Sequence, residues 1–201
     1  MRPDVQSTNV FFMNQPTTAG RVTVVMGVSG SGKTTVGKQL AARLGMPFYD
    51  GDDFHSAANI AKMASGTPLT DADRHDWLAT LATNIAQWQA AGGAVLACSA
   101  LKEAYRQTLQ HLAPQPLQWV FLDGSRELLH SRLQRRHGHY MGVGLLDSQL
   151  ATLEKPTYGL CLSIENTPDQ LVDQIVAHQG EPALLNPAAA LPPAGGSTPA
   201  S

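Results

Sequence analysis

Short apolar runs alternate with longer amphipathic stretches from about residue 21 to residue 180. Val22–Met26, Phe48–Tyr49, Ala94–Cys98, Leu117–Leu122 and Tyr158–Ile164 are the runs, and their length and β-branched content predict buried strands. Between them apolar residues recur at helical spacing. Val36, Leu40, Ala41 and Leu44 share one face of Lys33–Leu44; Trp77, Leu81, Ile85 and Trp88 line a stripe. Leu101–Leu112 reads as helical, and Ser125–Arg136 as a helix with Leu128, Leu129 and Leu133 inward. Leu171, Val172, Ile175 and Val176 form the apolar face of a last helix. Local signals punctuate this pattern. Gly45-Met46-Pro47 breaks the first helix, Thr70-x-x-Asp73 is a capping box opening the long one, Gly92-Gly93 ends it, and Thr167-Pro168 opens the last. Strands alternating with helices predict an α/β fold: a parallel five-stranded sheet with helices on both faces.

The ends depart from the pattern. Residues 1–20 carry two charges and no sustained periodicity, and the stretch after Glu181 has no charge and five prolines. Both read as flexible segments, 1–20 and 181–201, flanking one domain over 21–180. The 201 residues are 43% hydrophobic, which excludes a chain disordered throughout. Fourteen basic against sixteen acidic residues argue against a nucleic-acid partner. No apolar run approaches a membrane span, and no secretory signal is visible at the start. Two cysteines, Cys98 and Cys161, are too few for a disulfide framework and read as buried thiols of a cytoplasmic protein.

Gly27-Val28-Ser29-Gly30-Ser31-Gly32-Lys33-Thr34 matches G-x-x-x-x-G-K-[ST] at every position, between an apolar run and an amphipathic helix. Such a loop turns successive backbone N–H groups towards phosphate oxygens at the positive end of a helix. Lys33 reaches the β and γ phosphates, and the Thr34 hydroxyl is placed for Mg²⁺. The loop implies binding of a nucleoside triphosphate and leaves the acceptor open.

Asp50-Gly51-Asp52-Asp53-Phe54-His55 follows the second strand, at the sheet edge where α/β proteins bind ligands. One carboxylate there can serve Mg²⁺ while another accepts a hydroxyl proton. Asp52 is the candidate base, Asp53 reads as a helix cap, and Gly51 as the residue permitting a tight turn. The third strand runs into Ser99, and no apolar run is read as ending in the carboxylate of the usual second Mg²⁺ motif. That disfavours GTPases and transport or motor ATPases and points to Asp50 as the metal partner of Thr34. Arg126, Arg132, Arg135 and Arg136, with His130, His137 and His139, precede Gly142 and Gly144. A solvated helix, a nucleic-acid patch and a mobile lid compete for this cluster. The phosphate loop favours the lid, with Arg132 and Arg136 as its catalytic cations.

Several stretches together resemble the P-loop gluconokinases, relatives of shikimate kinase and the nucleoside monophosphate kinases. These are Gly27–Thr34; Asp50-Gly51-Asp52 with His55; Asn59-Ile60-x-Lys62-Met63-x-x-Gly66-x-Pro68-Leu69-x-Asp71-x-Asp73-Arg74-x-x-Trp77-Leu78; and Cys98-Ser99-Ala100-Leu101-Lys102-x-x-Tyr105-Arg106. Arg132 to Arg136, His139-x-Met141, Leu145-Leu146-x-Ser148-Gln149 and Leu153-Glu154 continue the match over about residues 22–178. The resemblance implies ATP-dependent phosphorylation of D-gluconate to 6-phosphogluconate and a homodimer. It leaves as alternatives a kinase for another small acid or nucleoside monophosphate, or a nucleotide-binding module without turnover. A gluconate site needs a cation for the carboxylate and polar groups for the hydroxyls. Arg74 can fork onto the carboxylate, and Asp52, His55, Lys102 and Arg106 complete the candidate set, with Lys62 nearby. Trp77 and Trp88 read as core. The resemblance also places the adenine edge at Glu165-Asn166-Thr167.

Overall fold

β1 (Arg21–Met26) lies at the centre of a five-stranded sheet ordered β2-β3-β1-β4-β5, with every neighbouring pair parallel. The computed structural model describes residues 20–135 and 143–178. The other strands are β2 (Phe48–Asp50), β3 (Gly93–Cys98), β4 (Gln118–Asp123) and β5 (Leu160–Ser163). The segments read as flexible at either end, and Arg136 with His137 and His139, lie outside the described residues.

Side chains of β1 alternate between two cores. Val22, Val24 and Met26 pack with Trp77, Leu81, Ile85 and Trp88 of α3 (Asp71–Ala90) and with Leu109 of α4 (Glu103–His111). Val25 faces the other way, onto Val36 and Leu40 of α1 (Lys33–Leu44) and Leu171 and Ile175 of α7 (Pro168–His178). Helices therefore cover both faces, as the strand–helix alternation predicts. The Thr70 capping box is present: its hydroxyl accepts from Asp73 N–H at 3.2 Å while Asp73 accepts from Thr70 N–H at 2.6 Å.

The pattern overlooks two helices, α2 (Ala57–Ala64) and α6 (Val143–Thr152), while α5 (Arg126–Gln134) is slightly shorter than expected. α2 is one side of a surface turn and buries only Asn59, so it carries no apolar stripe. β5 is an edge strand and buries only Leu162, which leaves Cys161 exposed, against the expectation of two buried thiols. Cys98 is buried, and that burial pushes its thiol up to about 12.

Candidate active site

The phosphate loop leaves the carboxyl end of β1 and enters α1 through Gly32, whose φ of 97° is open to glycine at little cost. Gly32 supplies no side-chain cap, so the first N–H groups of α1 are not covered by a capping side chain. Lys33 Nζ donates to Val28 O at 3.1 Å, arching over the loop. Ser29 N–H donates to Gln149 Oε1 on α6 at 2.6 Å. The Ser31 hydroxyl is buried inside the loop without a protein partner.

Thr34 and Asp50 meet across the cleft: Thr34 Oγ1 donates to Asp50 Oδ2 at 2.9 Å. The other Asp50 oxygen accepts Asp52 N–H at 3.2 Å and caps a 3₁₀ turn, Gly51–Phe54. Asp53 caps nothing, contrary to expectation; α2 is capped by Ser56. Gly51 opens that tight turn, as expected. Its φ is not positive, and glycine is required there because a β carbon would lie 2.9 Å from Ala97 O. The turn is held from below by Trp77, whose indole N–H donates to Gly51 O at 2.7 Å. The same ring stacks under His55 at 4.4 Å between centroids. Trp77 is core, as expected, and it also positions the acidic turn.

Crowding by the cleft walls raises the Asp52 carboxyl above its ordinary value; Lys33 opposes this and Asp50 adds to it. Asp52 keeps contact with solvent, which moderates the rise. Burial lowers His55, Asp52 pulls it back up, and Arg74 lowers it further. His55 Nδ1 is buried with no protein partner. Asp52, His55 and Arg74 thus form one electrostatic group.

Arg74 donates to Leu69 O at 2.5 Å and lies over the Tyr105 ring, 5.7 Å from its centroid. Lys102 lies over the same ring and bonds both oxygens of Asp71, at 2.9 and 2.8 Å. The Tyr105 hydroxyl donates to Asp71 as well. Lys62 is paired with Asp73 at 2.6 Å, within the α3 cap. Arg106 does not join the cleft. It is buried, and its fork is spent on Glu103, Tyr158 and the carbonyls of Ala100, Leu101 and Glu154. A guanidinium with every N–H engaged has none left for a ligand; Arg106 instead braces the β3–α4 loop, where Ala100 has a φ of 43°.

On the other side of the phosphate loop is a cavity of about 290 Å³, lined by Gly30, Gly32, Arg132, Arg135, Asn166 and Leu171 among others. Arg132 donates to Ile164 O at 2.5 Å. Asn166 belongs to the loop after β5 that the resemblance implies for the adenine edge. Arg136 lies outside the described residues. Two strands do end in a carboxylate, contrary to the sequence reading: β2 closes on Asp50, and β4 on Asp123, which is taken by Lys155 Nζ at 2.7 Å.

The AAA-domain family matches residues 22–156. The gluconokinase of Gluconobacter oxydans (strain 621H) is 49% identical over 162 residues, covering 79% of this chain and 90% of its own. Among solved structures, a gluconokinase from Sinorhizobium meliloti 1021 superposes with a TM-score of 0.73 at 41% identity, covering 81% of this chain and 93% of that one. An unliganded sugar kinase from Janibacter sp. HTCC2649 gives 0.75 at 42%, over 80% and 95%. An APS kinase from Mycobacterium tuberculosis shares the fold at 20% identity, with a TM-score of 0.62 over 81% and 99%. With a phosphate loop facing an acidic turn across one parallel sheet, and identity of this order over nearly the whole of its relatives, the chain belongs to the gluconokinase family of P-loop kinases.

Proposed function

We propose that this chain transfers the γ-phosphoryl group of ATP to the terminal hydroxyl of D-gluconate, giving 6-phosphogluconate. The observation that carries the reading is the juxtaposition at the carboxyl ends of β1 and β2. There Thr34 and Asp50 touch, and Asp52 is close enough to Lys33 for their charges to act on one another. The phosphate loop holds the triphosphate, with Lys33 at the β and γ phosphates. The cavity beside Asn166 takes the base. Asp52 accepts the proton of the attacking hydroxyl, and its raised affinity for a proton brings it nearer the range useful to a general base. Neutral His55 offers the accessible part of its ring to a substrate hydroxyl, and Arg74 offers the remaining donors of its fork to the carboxylate. Lys102 is bonded to Asp71 and supports that site through the Tyr105–Asp71 pair.

Thr34 and Asp50 present two hard oxygens side by side, a donor set that fits Mg²⁺, which takes one or two protein oxygens and fills its octahedron with phosphate and water. Bound there, Mg²⁺ would neutralise charge on the phosphates. No group of three or more His, Cys, Asp or Glu gathers for a metal among the described residues. Among those residues, too, no helix is long and apolar enough to cross a membrane. The same reading makes the enzyme cytoplasmic and homodimeric, acting on a small molecule and not on nucleic acid.

The test is ADP release in a coupled assay across gluconate, shikimate, other sugar acids and nucleoside monophosphates. Gluconate should be turned over with a kcat/KM at least about a hundredfold above every other acceptor, the discrimination expected of a site whose buried polar groups are matched to one substrate. Preference for shikimate or a nucleoside monophosphate would replace the reading with the corresponding kinase. ATP binding with no turnover of any acceptor would replace it with a binding module.

A further inference from the structure

One peptide unit of the phosphate loop is held from both sides. Its carbonyl, that of Val28, accepts from Lys33 Nζ at 3.1 Å and from Ser31 N–H at 3.2 Å. Its N–H, that of Ser29, donates to Gln149 Oε1 at 2.6 Å. A peptide is planar, so fixing the direction of the N–H fixes the direction of the carbonyl. Polarising the N–H also strengthens the carbonyl as an acceptor, because hydrogen bonds in series reinforce one another. Gln149 therefore reaches Lys33 through a rigid unit of six atoms.

The helix that carries Gln149 is tied in as well. Asp147 of α6 takes Arg126 Nε of α5 at 3.0 Å, with His130 Nε2 at 3.5 Å. α5 carries Arg132 to the rim of the nucleotide cavity. Gln149 is half-buried, and its partner is 120 positions away in the chain, so this is a tertiary contact and not local helix chemistry.

We infer that Gln149 is a positioning residue for phosphoryl transfer: it sets the Val28–Ser29 peptide so that the Val28 carbonyl directs the Lys33 ammonium to the phosphates. The inference rests on the kinase reading for the reaction it serves, but the ADP comparison that tests it needs no gluconate. Gln149→Met keeps length and bulk and removes the bond; Gln149→Ala removes both. ADP affinity is measured by calorimetry for each, in the native background and in Lys33→Ala, together with the melting temperature.

If Gln149 acts through Lys33, Gln149→Met weakens ADP about fivefold in the native background, as loss of one hydrogen bond would. It changes ADP affinity less than about twofold in Lys33→Ala, the non-additivity of coupled sites. Steady-state rates then show a raised KM for ATP and a lower kcat, with KM for gluconate unchanged, and the melting temperature stays within about 2 °C. Equal losses in both backgrounds, or no loss in either, overturn the inference. If Lys33→Ala no longer binds ADP, the split between the two KM values decides: equal rises, or none, overturn it. Failure of the native enzyme to phosphorylate gluconate would overturn the proposed function and leave the ADP comparison readable.

Discussion

A carboxyl held above its ordinary range at Asp52 binds its proton more tightly in the folded chain than in the unfolded one. The stabilisation this brings is complete below the unfolded value of about 3.8 and is lost as pH rises through the folded value. At neutral pH the ionised Asp52 is therefore a cost to the fold, a trade common at active sites and consistent with its proposed role as base. Asp52→Asn should melt higher than the native protein at pH 7, with the difference shrinking as pH falls towards 3.8. Its kcat should drop by about 10²–10⁴-fold, as for loss of a general base, while ATP affinity changes little. Thermal scans across pH beside turnover rates check both halves. A variant that melts lower at pH 7, or that retains more than about a tenth of the rate, would make Asp52 a structural residue. The acid limb of kcat/KM should also lie above the ordinary carboxyl range. His55 is lowered by burial, so at neutral pH it is an uncharged ring with one donor and one acceptor, suited to a hydroxyl and not to a carboxylate.

The long helix α3 does two jobs with one stripe. Trp77, Leu81, Ile85 and Trp88 pack onto the sheet, and at its amino end the Trp77 indole N–H holds the Gly51 carbonyl. Trp77→Phe keeps an aromatic ring and orphans that carbonyl. It should cost about 1–3 kcal/mol, the penalty for a buried polar group left unpaired. It should also lower kcat more than ATP affinity, because the turn it releases carries Asp50 and Asp52 while the phosphate loop keeps its own bonds. Urea unfolding with steady-state kinetics measures both, and unchanged values for both would return Trp77 to pure packing. How far such elements are legible in the sequence follows from the range of their causes. Lys33–Leu44 and the Thr70 cap are set by neighbours a few residues away, and the structure places both where the periodicity predicts. The phosphate loop is likewise a local motif. α2 escapes because it buries only Asn59, and α6 because its stripe, Leu146 and Leu150, is only two residues long within the helix. Arg106 reads as a substrate cation because Lys102-x-x-x-Arg106 on a helix says nothing about which cation is covered. Its coverage comes from Glu154 and Tyr158, about fifty positions away. The Trp77–Gly51 bond spans 26 positions and the Gln149–Ser29 bond 120, and neither leaves a local signal beyond residue type.

The strand order distributes the whole site. β1 delivers the phosphate loop at the centre, β2 delivers Asp50 beyond β3 on one side, and β5 delivers Asn166 beyond β4 on the other. On the proposed reading, the acceptor and the nucleoside approach the phosphates from opposite flanks, at the point where the strand order reverses. Phosphoryl transfer across that line needs cations to meet the charge on the transferring group. Two arginines, Arg132 and Arg136, are the candidates, and the surroundings of Arg132 set what it should do. Arg132 already lines the cavity beside the phosphate loop; its guanidinium lies 3.9 Å from the place a Gly32 β carbon would take. A cation built in beside the loop acts on bound ATP before any acceptor arrives, so Arg132→Ala should weaken ATP binding without gluconate and also reduce kcat. Arg136 precedes Gly138 in the sequence, and we propose it as the cation that a lid would bring over the phosphates only on closure. Arg136→Ala should therefore leave ATP affinity in the absence of gluconate near the native value and lower kcat. Arginines delivered in this way are worth about 10³–10⁵ in rate. The two single variants and the double are measured with gluconate saturating, beside calorimetric ATP affinity. If all three keep a near-native kcat, the cluster is a solvated face, and charge on the phosphoryl group is met by Lys33 and the loop's backbone N–H groups.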